Sequence, residues 1–168
     1  MTMVETNDVG DTKNTILHDC VTPASFWAPN WTRLESAWLE HAPFAFWLVE
    51  ALRPRTVVEL GVYSGFSFAA FCQAIDTLKI DCRCYGIDHW QSDRYTGSYD
   101  VEIFESINRH IDAHYKSFGT LIRSDFAAAS SDFEDGSVDL LHIDGAHDYD
   151  SVKADYLAWL PKLAKAAI

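Results

Sequence analysis

The sequence predicts an α/β fold, a parallel sheet with helices on both of its faces. Two observations carry this. Four short apolar runs, TVVEL from Thr56, CRCYGID from Cys82, GTLIRSDF from Gly119 and VDLLHIDG from Val138, alternate with segments whose apolar residues step by three and four. A turn bracketed by Gly61 and Gly65 follows the first run directly, as when a strand feeds a helix.

The elements follow in order. Residues 1–24 are polar and lack periodicity, which reads as a mobile lead-in to one domain over residues 25–168. Trp27 and Trp31 open a tryptophan-rich segment, in which Leu34, Trp38 and Leu39 fit one helical face. Pro43 restarts the pattern in the first turn of a second helix that runs to about Leu52. After the first strand, FSFAAFCQAI has helical character. HWQSDRYTGSY is a loop, and a helix from near Tyr99 places Phe104, Ile107, Ile111, Tyr115 and Phe118 on one face. FAAASSDFEDGS supplies a short helix and a turn. The last helix, DSVKADYLAWLPKL, aligns Val152, Tyr156, Trp159 and Leu163. Six tryptophans is a high count, and their helical spacing reads as core packing.

Composition narrows the function. With 168 residues, 48% hydrophobic and 23% charged, the chain has enough length and apolar content for one domain with a real core. Thirteen Lys and Arg against 25 Asp and Glu give a net charge of −12, which repels phosphate backbones and anionic lipid, so neither is an expected partner. No apolar stretch reaches the roughly 18 residues of a membrane span, and the polar N-terminus has no signal core, so a cytoplasmic location is expected. Cys20, Cys72, Cys82 and Cys84 lack metal-site spacing and read as structural.

In a parallel sheet of this kind, ligands bind where the strands end. The first strand ends in Glu59-Leu60-Gly61-Val62-Tyr63-Ser64-Gly65-Phe66-Ser67. Gly61 allows a tight turn, and Gly65 lets a ligand or the following helix approach. The helix start offers free N–H groups to a carboxylate or phosphate. The second strand ends in Asp88, placed to accept from two ribose hydroxyls or, more plainly, to cap the next turn. A dinucleotide fold wants GxGxxG, but Tyr63 stands at the middle position and obstructs a pyrophosphate. ExGxxxGxS instead fits a nucleoside with an amino-acid tail, S-adenosylmethionine. Glu59 then organises the loop or meets the tail's ammonium group. The fourth strand ends in His142-Ile143-Asp144-Gly145-Ala146-His147. His147 is a candidate base for a substrate hydroxyl, or a capping residue. Asp144 is a candidate methyl-site group, or a turn residue, and His142 reads as structural. In the loop after the second strand, Trp90, Tyr95 and Tyr99 beside Asp93 and Arg94 suit stacking on a sugar or closing over a cofactor, or form a plain surface loop.

With these residues in view, the chain resembles the class I S-adenosylmethionine-dependent methyltransferases. More narrowly it resembles the branch associated with bacterial glycosyltransferases and with O-methylation of sugars and natural products. SAWLEHAPFAFWLVEAL, RPRTVVELGVYSGFSF, FCQAI, IDHWQSDRYTGSY, LIRSDF and GSVDLLHIDGAHDYDSVKADYLAWLPKL carry the resemblance, over roughly residues 26–165. It implies a Rossmann-like sheet and a cofactor site of Glu59, Gly61, Tyr63, Ser64, Gly65, Ser67, Asp88, His89, Asp125 and Phe126. Within that set Gly61 and Gly65 line the methionine end, Asp88 holds the ribose, and Asp125 and Phe126 flank the adenine. His147 and Asp144 are then the catalytic pair, and Asp144 the ligand of a divalent cation such as Mg²⁺. The acceptor is a sugar-type small molecule. A family member is expected to continue through a fifth strand ending in an acidic or His-Asp pair. The chain reaches only Ile168, so the sheet is expected to be truncated before its last strands, with an exposed edge open to self-association. The alternative function is a non-catalytic nucleoside-binding or interaction module of the same fold.

Overall fold

A computed structural model describes residues 21–32, 36–91 and 101–168. The expectations for residues 1–20, with Cys20, and for Leu34, Asp93, Arg94, Tyr95 and Tyr99 lie outside the described residues. The first helix, α1 (Ala42–Leu52), has Pro43 in its first turn, where a missing N–H costs nothing, and ends at Arg53 in the left-handed region with φ 45°. Then follow β1 (Thr56–Leu60), α2 (Phe66–Thr77), β2 (Arg83–Asp88), α3 (Val101–His114), β3 (Gly119–Arg123), α4 (Phe126–Ser130), β4 (Leu140–Ile143) and α5 (Tyr149–Trp159).

The four strands are all parallel, in the order β3-β2-β1-β4. The expected α/β sheet is therefore the observed one. Alternation along β1 sends Val57 to one face and Val58 and Leu60 to the other. On the first face, Phe46 of α1, Phe68 and Phe71 of α2, and Ile107 and Ile111 of α3 build the larger core. On the second, Val58, Leu60, Ile87, Val138 and Trp159 form a smaller one under α4 and α5. Cys72, Cys82 and Cys84 are buried and unbridged, as structural cysteines should be. Burial and the neighbouring Cys84 push the Cys82 thiol up to about 12, so it stays a thiol at neutral pH. Among the described residues, no helix is long and apolar enough to cross a membrane.

Three expectations need correction. Trp38 is not on an α-helix but precedes a single 3-10 turn, Leu39–His41. Its ring packs edge-on against His142 at 4.6 Å and faces Phe71 at 6.3 Å, so the spacing reflected tertiary contacts. The aligned face of α5 is only partly buried. Trp159 is buried, but Val152 and Tyr156 remain 40% and 46% exposed, because α5 meets the second core only toward its C-terminal end, through Ala158 and Trp159. The outer edge of β4 is not bare either. Lys162 accepts from Val138 N–H at 2.9 Å, and Ile168 accepts from Leu141 N–H at 2.9 Å and donates to Asp139 at 3.1 Å. Residues 162–168 thus lie along that edge, paired to it at Val138, Asp139 and Leu141.

Trp159 anchors the second face, with its ring 4.9 Å from Phe133 and its indole N–H donating to Phe126 O at 2.9 Å. Trp159→Ala is expected to lower the unfolding free energy by about 3–5 kcal/mol. Trp159→Phe keeps most of the volume and loses one hydrogen bond, a cost of about 1 kcal/mol plus repacking. Urea unfolding of both variants checks the pair of values.

Candidate functional site

The ends of β1, β2 and β4, the start of α4 and residues 36–41 enclose a cleft of about 530 Å³. It lies where the sheet's connections diverge, between β1 and β4, the position at which open α/β sheets bind ligands.

Asp88 is the hub of one wall. Its buried carboxylate accepts from the Val62 and Tyr63 N–H groups through Oδ2, both at 3.0 Å, and from Trp90 N–H through Oδ1 at 2.8 Å. Two of these donors belong to residues in the left-handed region, Tyr63 at φ 48° and Trp90 at φ 46°. A left-handed L-residue costs about 1–2 kcal/mol. A hydrogen bond to a charged group contributes about 1.5–3 kcal/mol. The carboxylate therefore outweighs the strain and fixes the turn. Gly61 N–H donates to Ile87 O and Gly65 N–H to Val62 O. The donors with no acceptor among the described residues are then Ser64 N–H and the first-turn N–H groups of α2 at Phe66, Ser67 and Phe68. Such a helix start suits an anionic group.

The two glycines serve the opposite wall and the back. A Cβ on Gly61 would lie 2.2 Å from Asp144 O, so the end of β1 and the exit of β4 touch backbone to backbone. A Cβ on Gly65 would lie 2.3 Å from Ile107 Cγ1. Gly65 thus makes room for α3, neither for a ligand nor for the helix it starts, and it does not line the cleft.

Glu59 also stands behind the cleft. It is fully buried, pairs in register with His142 across β1 and β4, and contacts His142 Nδ1 through Oε1 at 2.8 Å. Oε2 has no hydrogen-bond partner, although the Ser67 hydroxyl also favours the ionised form. Burial raises the Glu59 carboxyl above its ordinary value, against the lowering effect of His142. Burial lowers His142, but the bond and charge of Glu59, with Asp144, outweigh it and leave His142 raised. Between them the pair holds a proton more tightly than the unfolded chain does.

At the other rim His147 Nε2 lies 3.3 Å from Asp144 Oδ1, and the imidazole is 77% exposed at its side chain. Asp125 caps α4 by accepting from Ala127 and Ala128 N–H. The Phe126 ring packs against Gly145, where a Cβ would sit 2.6 Å from Cε2.

Of the residues expected from sequence, Gly61, Tyr63, Ser64, Ser67, Asp88, His89, Asp125, Phe126, Asp144 and His147 converge on the cleft. Glu59 and Gly65 do not. Trp90 is buried, donates its indole N–H to Tyr63 O at 3.1 Å and packs on Phe104, so it supports the loop from behind and covers nothing. The sequence reading missed Trp38 and His41 on one side of the cleft and Ser151 and Asp155 on the other. Burial, then Asp125 and Asp148, raise the Asp155 carboxyl. The tryptophan-rich segment was the available signal for Trp38. Among the described residues, no cluster of three His, Cys, Asp or Glu side chains is placed to hold a metal ion. Asp144 has His147 beside it and no third ligand.

Residues 58–168 match the family described as methyltransferase domain. The chain is 46% identical over 140 residues to the uncharacterized protein y4gI of Sinorhizobium fredii, a match covering 83% of this chain and 15% of that one. Among solved structures, the S-adenosylhomocysteine-bound methyltransferase PaMTH1 of Podospora anserina is 15% identical, with a TM-score of 0.59, over 76% of this chain and 50% of that one. A methyltransferase of Geobacter sulfurreducens is 20% identical, with a TM-score of 0.56, over 75% and 56%. The chain thus spans about half the length of these two structures and a small part of the curated relative.

The Glu59–His142 pair sets a pH dependence. Both groups bind protons more tightly when folded, so stability is fully present below the ordinary carboxyl value and falls as pH rises through the raised Glu59 and His142 values. Urea unfolding across this range is expected to show that decline. His142→Leu leaves Glu59 without its cation and is expected to cost about 3–5 kcal/mol at high pH, and less as the pH falls and Glu59 takes up a proton.

Proposed function

The chain belongs to the methyltransferase-domain family, and on that premise we propose that its cleft binds S-adenosylmethionine and carries the methyl group to a hydroxyl oxygen. The fold is the Rossmann-like methyltransferase fold. The observation that carries the reading is the convergence on one cleft of Asp88, the free donors at Ser64 and the start of α2, and the Asp144–His147 pair. Its volume is that of a small-molecule site. The donors at Ser64 and the first turn of α2 suit the carboxylate of an amino-acid tail. Asp88 has one acceptor position left on Oδ1 for a ribose hydroxyl. Phe126 offers a ring face for adenine beside Asp125.

The cofactor supplies an electrophilic methyl group on a sulfonium centre. A hydroxyl is a weak nucleophile at neutral pH, so its proton must be taken during attack. We assign that role to His147. With its Nε2 proton directed at Asp144 Oδ1, the ring presents the Nδ1 lone pair to the acceptor, and the carboxylate steadies the imidazolium that results. Among the described residues, no group of three His, Cys, Asp or Glu side chains is placed to hold a divalent cation. We read the acceptor as a sugar or glycosylated small molecule. The resemblance noted above supports this, together with the Trp38 ring among polar side chains on the cleft wall.

Calorimetry with S-adenosylhomocysteine is expected to show one site, weakened by about 1.5–3 kcal/mol in Asp88→Ala. NADH in the same cell is expected to give no saturable heat, because Tyr63 stands where a pyrophosphate would pass. Absence of any S-adenosylhomocysteine binding would overturn the reading.

Methyl transfer from S-adenosylmethionine to a panel of free and nucleotide-linked sugars tests the chemistry. His147→Ala is expected to lower kcat by about 10²–10⁴-fold, and Asp144→Asn to lower it less. Full activity in both variants removes the pair from the mechanism. Cofactor binding with no transfer to any acceptor favours a binding module instead.

A further inference from the structure

We propose that Trp31 and Trp90 are positioning residues that clamp the glycine loop from behind and set the direction of its free donor, so that they act on ligand affinity without touching the ligand. The inference rests on the cofactor reading above for its ligand, but its geometry stands apart from that reading.

Two consecutive carbonyls of the loop are held by indoles from distant parts of the chain. Trp90 Nε1 donates to Tyr63 O at 3.1 Å, and Trp31 Nε1 donates to Ser64 O at 3.0 Å. Neither tryptophan lines the cleft. A trans peptide unit is planar, so its C=O and the next N–H point in opposite directions. Holding Tyr63 O therefore aims Ser64 N–H away from Trp90, and Ser64 lines the cleft with an N–H that no described residue accepts. Holding Ser64 O fixes the next peptide unit, whose Gly65 N–H closes the turn onto Val62 O at 2.8 Å. The two indoles thus lock the two peptide planes that bracket Ser64.

Their own positions come from one face of α3. Phe104 packs on Trp90 with ring centroids 4.8 Å apart, Ile107 fills the space that Gly65 leaves, and His110 packs on Trp31 at 4.4 Å. Burial, with His114 nearby, lowers His110, which keeps the ring against Trp31 neutral. Residues three apart on a helix lie on one side of it. That face of α3 is therefore the back plate of the loop, and the indole N–H groups are its fingers.

The test separates the N–H from the ring. Trp31→Phe and Trp90→Phe keep an aromatic side chain and remove the donor; Trp27→Phe, whose ring packs on Phe46, is the packing reference. Titration of the full chain with S-adenosylhomocysteine is expected to show about five- to ten-fold weaker binding in each clamp variant, with thermal midpoints close to that of Trp27→Phe. Amide exchange of the unliganded protein is expected to speed up at Val62 and Tyr63, with the interior of β1 unchanged. Clamp variants that bind within about two-fold of the wild type overturn the proposal. If the wild type binds no S-adenosylhomocysteine, the cofactor reading fails, and exchange decides the clamp by itself: unchanged rates at Val62 and Tyr63 overturn it.

Discussion

The carboxylate of Asp88 is the constraint on which the cleft depends. Three backbone N–H groups from two separate turns meet on it, and two of them belong to residues in a conformation that L-amino acids avoid. Without that charge the turns after β1 and β2 would be tied only by the Trp90 indole bond to Tyr63 O and the Gly61 bond to Ile87 O, and no one group would join Val62, Tyr63 and Trp90. The strained conformations follow from this. Tyr63 and Trp90 stay left-handed because the folded chain gains more from completing the carboxylate than it loses in backbone energy. A strand-end acidic residue is commonly expected to serve a ligand. Here most of its capacity serves the protein.

A second buried charge governs the other side. Glu59 lies in the first face of the sheet, beside apolar neighbours, where an isolated carboxylate is costly. His142 meets it because β1 and β4 pair in a register that places the two opposite each other. That register also brings Asp144 onto Gly61, and so puts the candidate proton acceptor at the rim of the same cleft. One strand pairing thus sets the core electrostatics and the geometry of the rim together.

The strands and most helices were legible because their signal is local. TVVEL, CRCYGID, GTLIRSDF and VDLLHIDG each state their own conformation, and the order of alternation leaves few topologies. The strand ends were legible for the same reason, and ten of the expected residues do meet. What failed was everything decided by a distant partner. The periodicity of α5 says that Val152, Tyr156 and Trp159 share a side, but not how far the core extends beneath them. Gly65 announces a close approach, but not that Ile107 makes it. Glu59 looked like a loop organiser because the imidazole that satisfies it is 83 positions further along the chain. Trp38 looked helical because aromatic spacing can serve a tertiary contact as well as a turn.

The central place of β1 has a consequence for how the molecule is made. Among the described residues it is the first strand in sequence, yet it is flanked by β2 on one side and by β4, the last of the four, on the other. During synthesis at roughly 5–20 residues per second, the 83 residues between Glu59 and His142 take roughly 4 to 17 s to emerge. Within that interval β2 and then β3 can join β1 as each emerges, but the half-sheet holds a carboxylate with no cation and has an open edge. Such an assembly is a poor resting state. Arrival of β4 neutralises the charge, closes the edge and seats Gly61 against Asp144 in a single event. The nascent chain therefore has little to gain from partial order, and the cleft comes into being only when β4 joins the sheet.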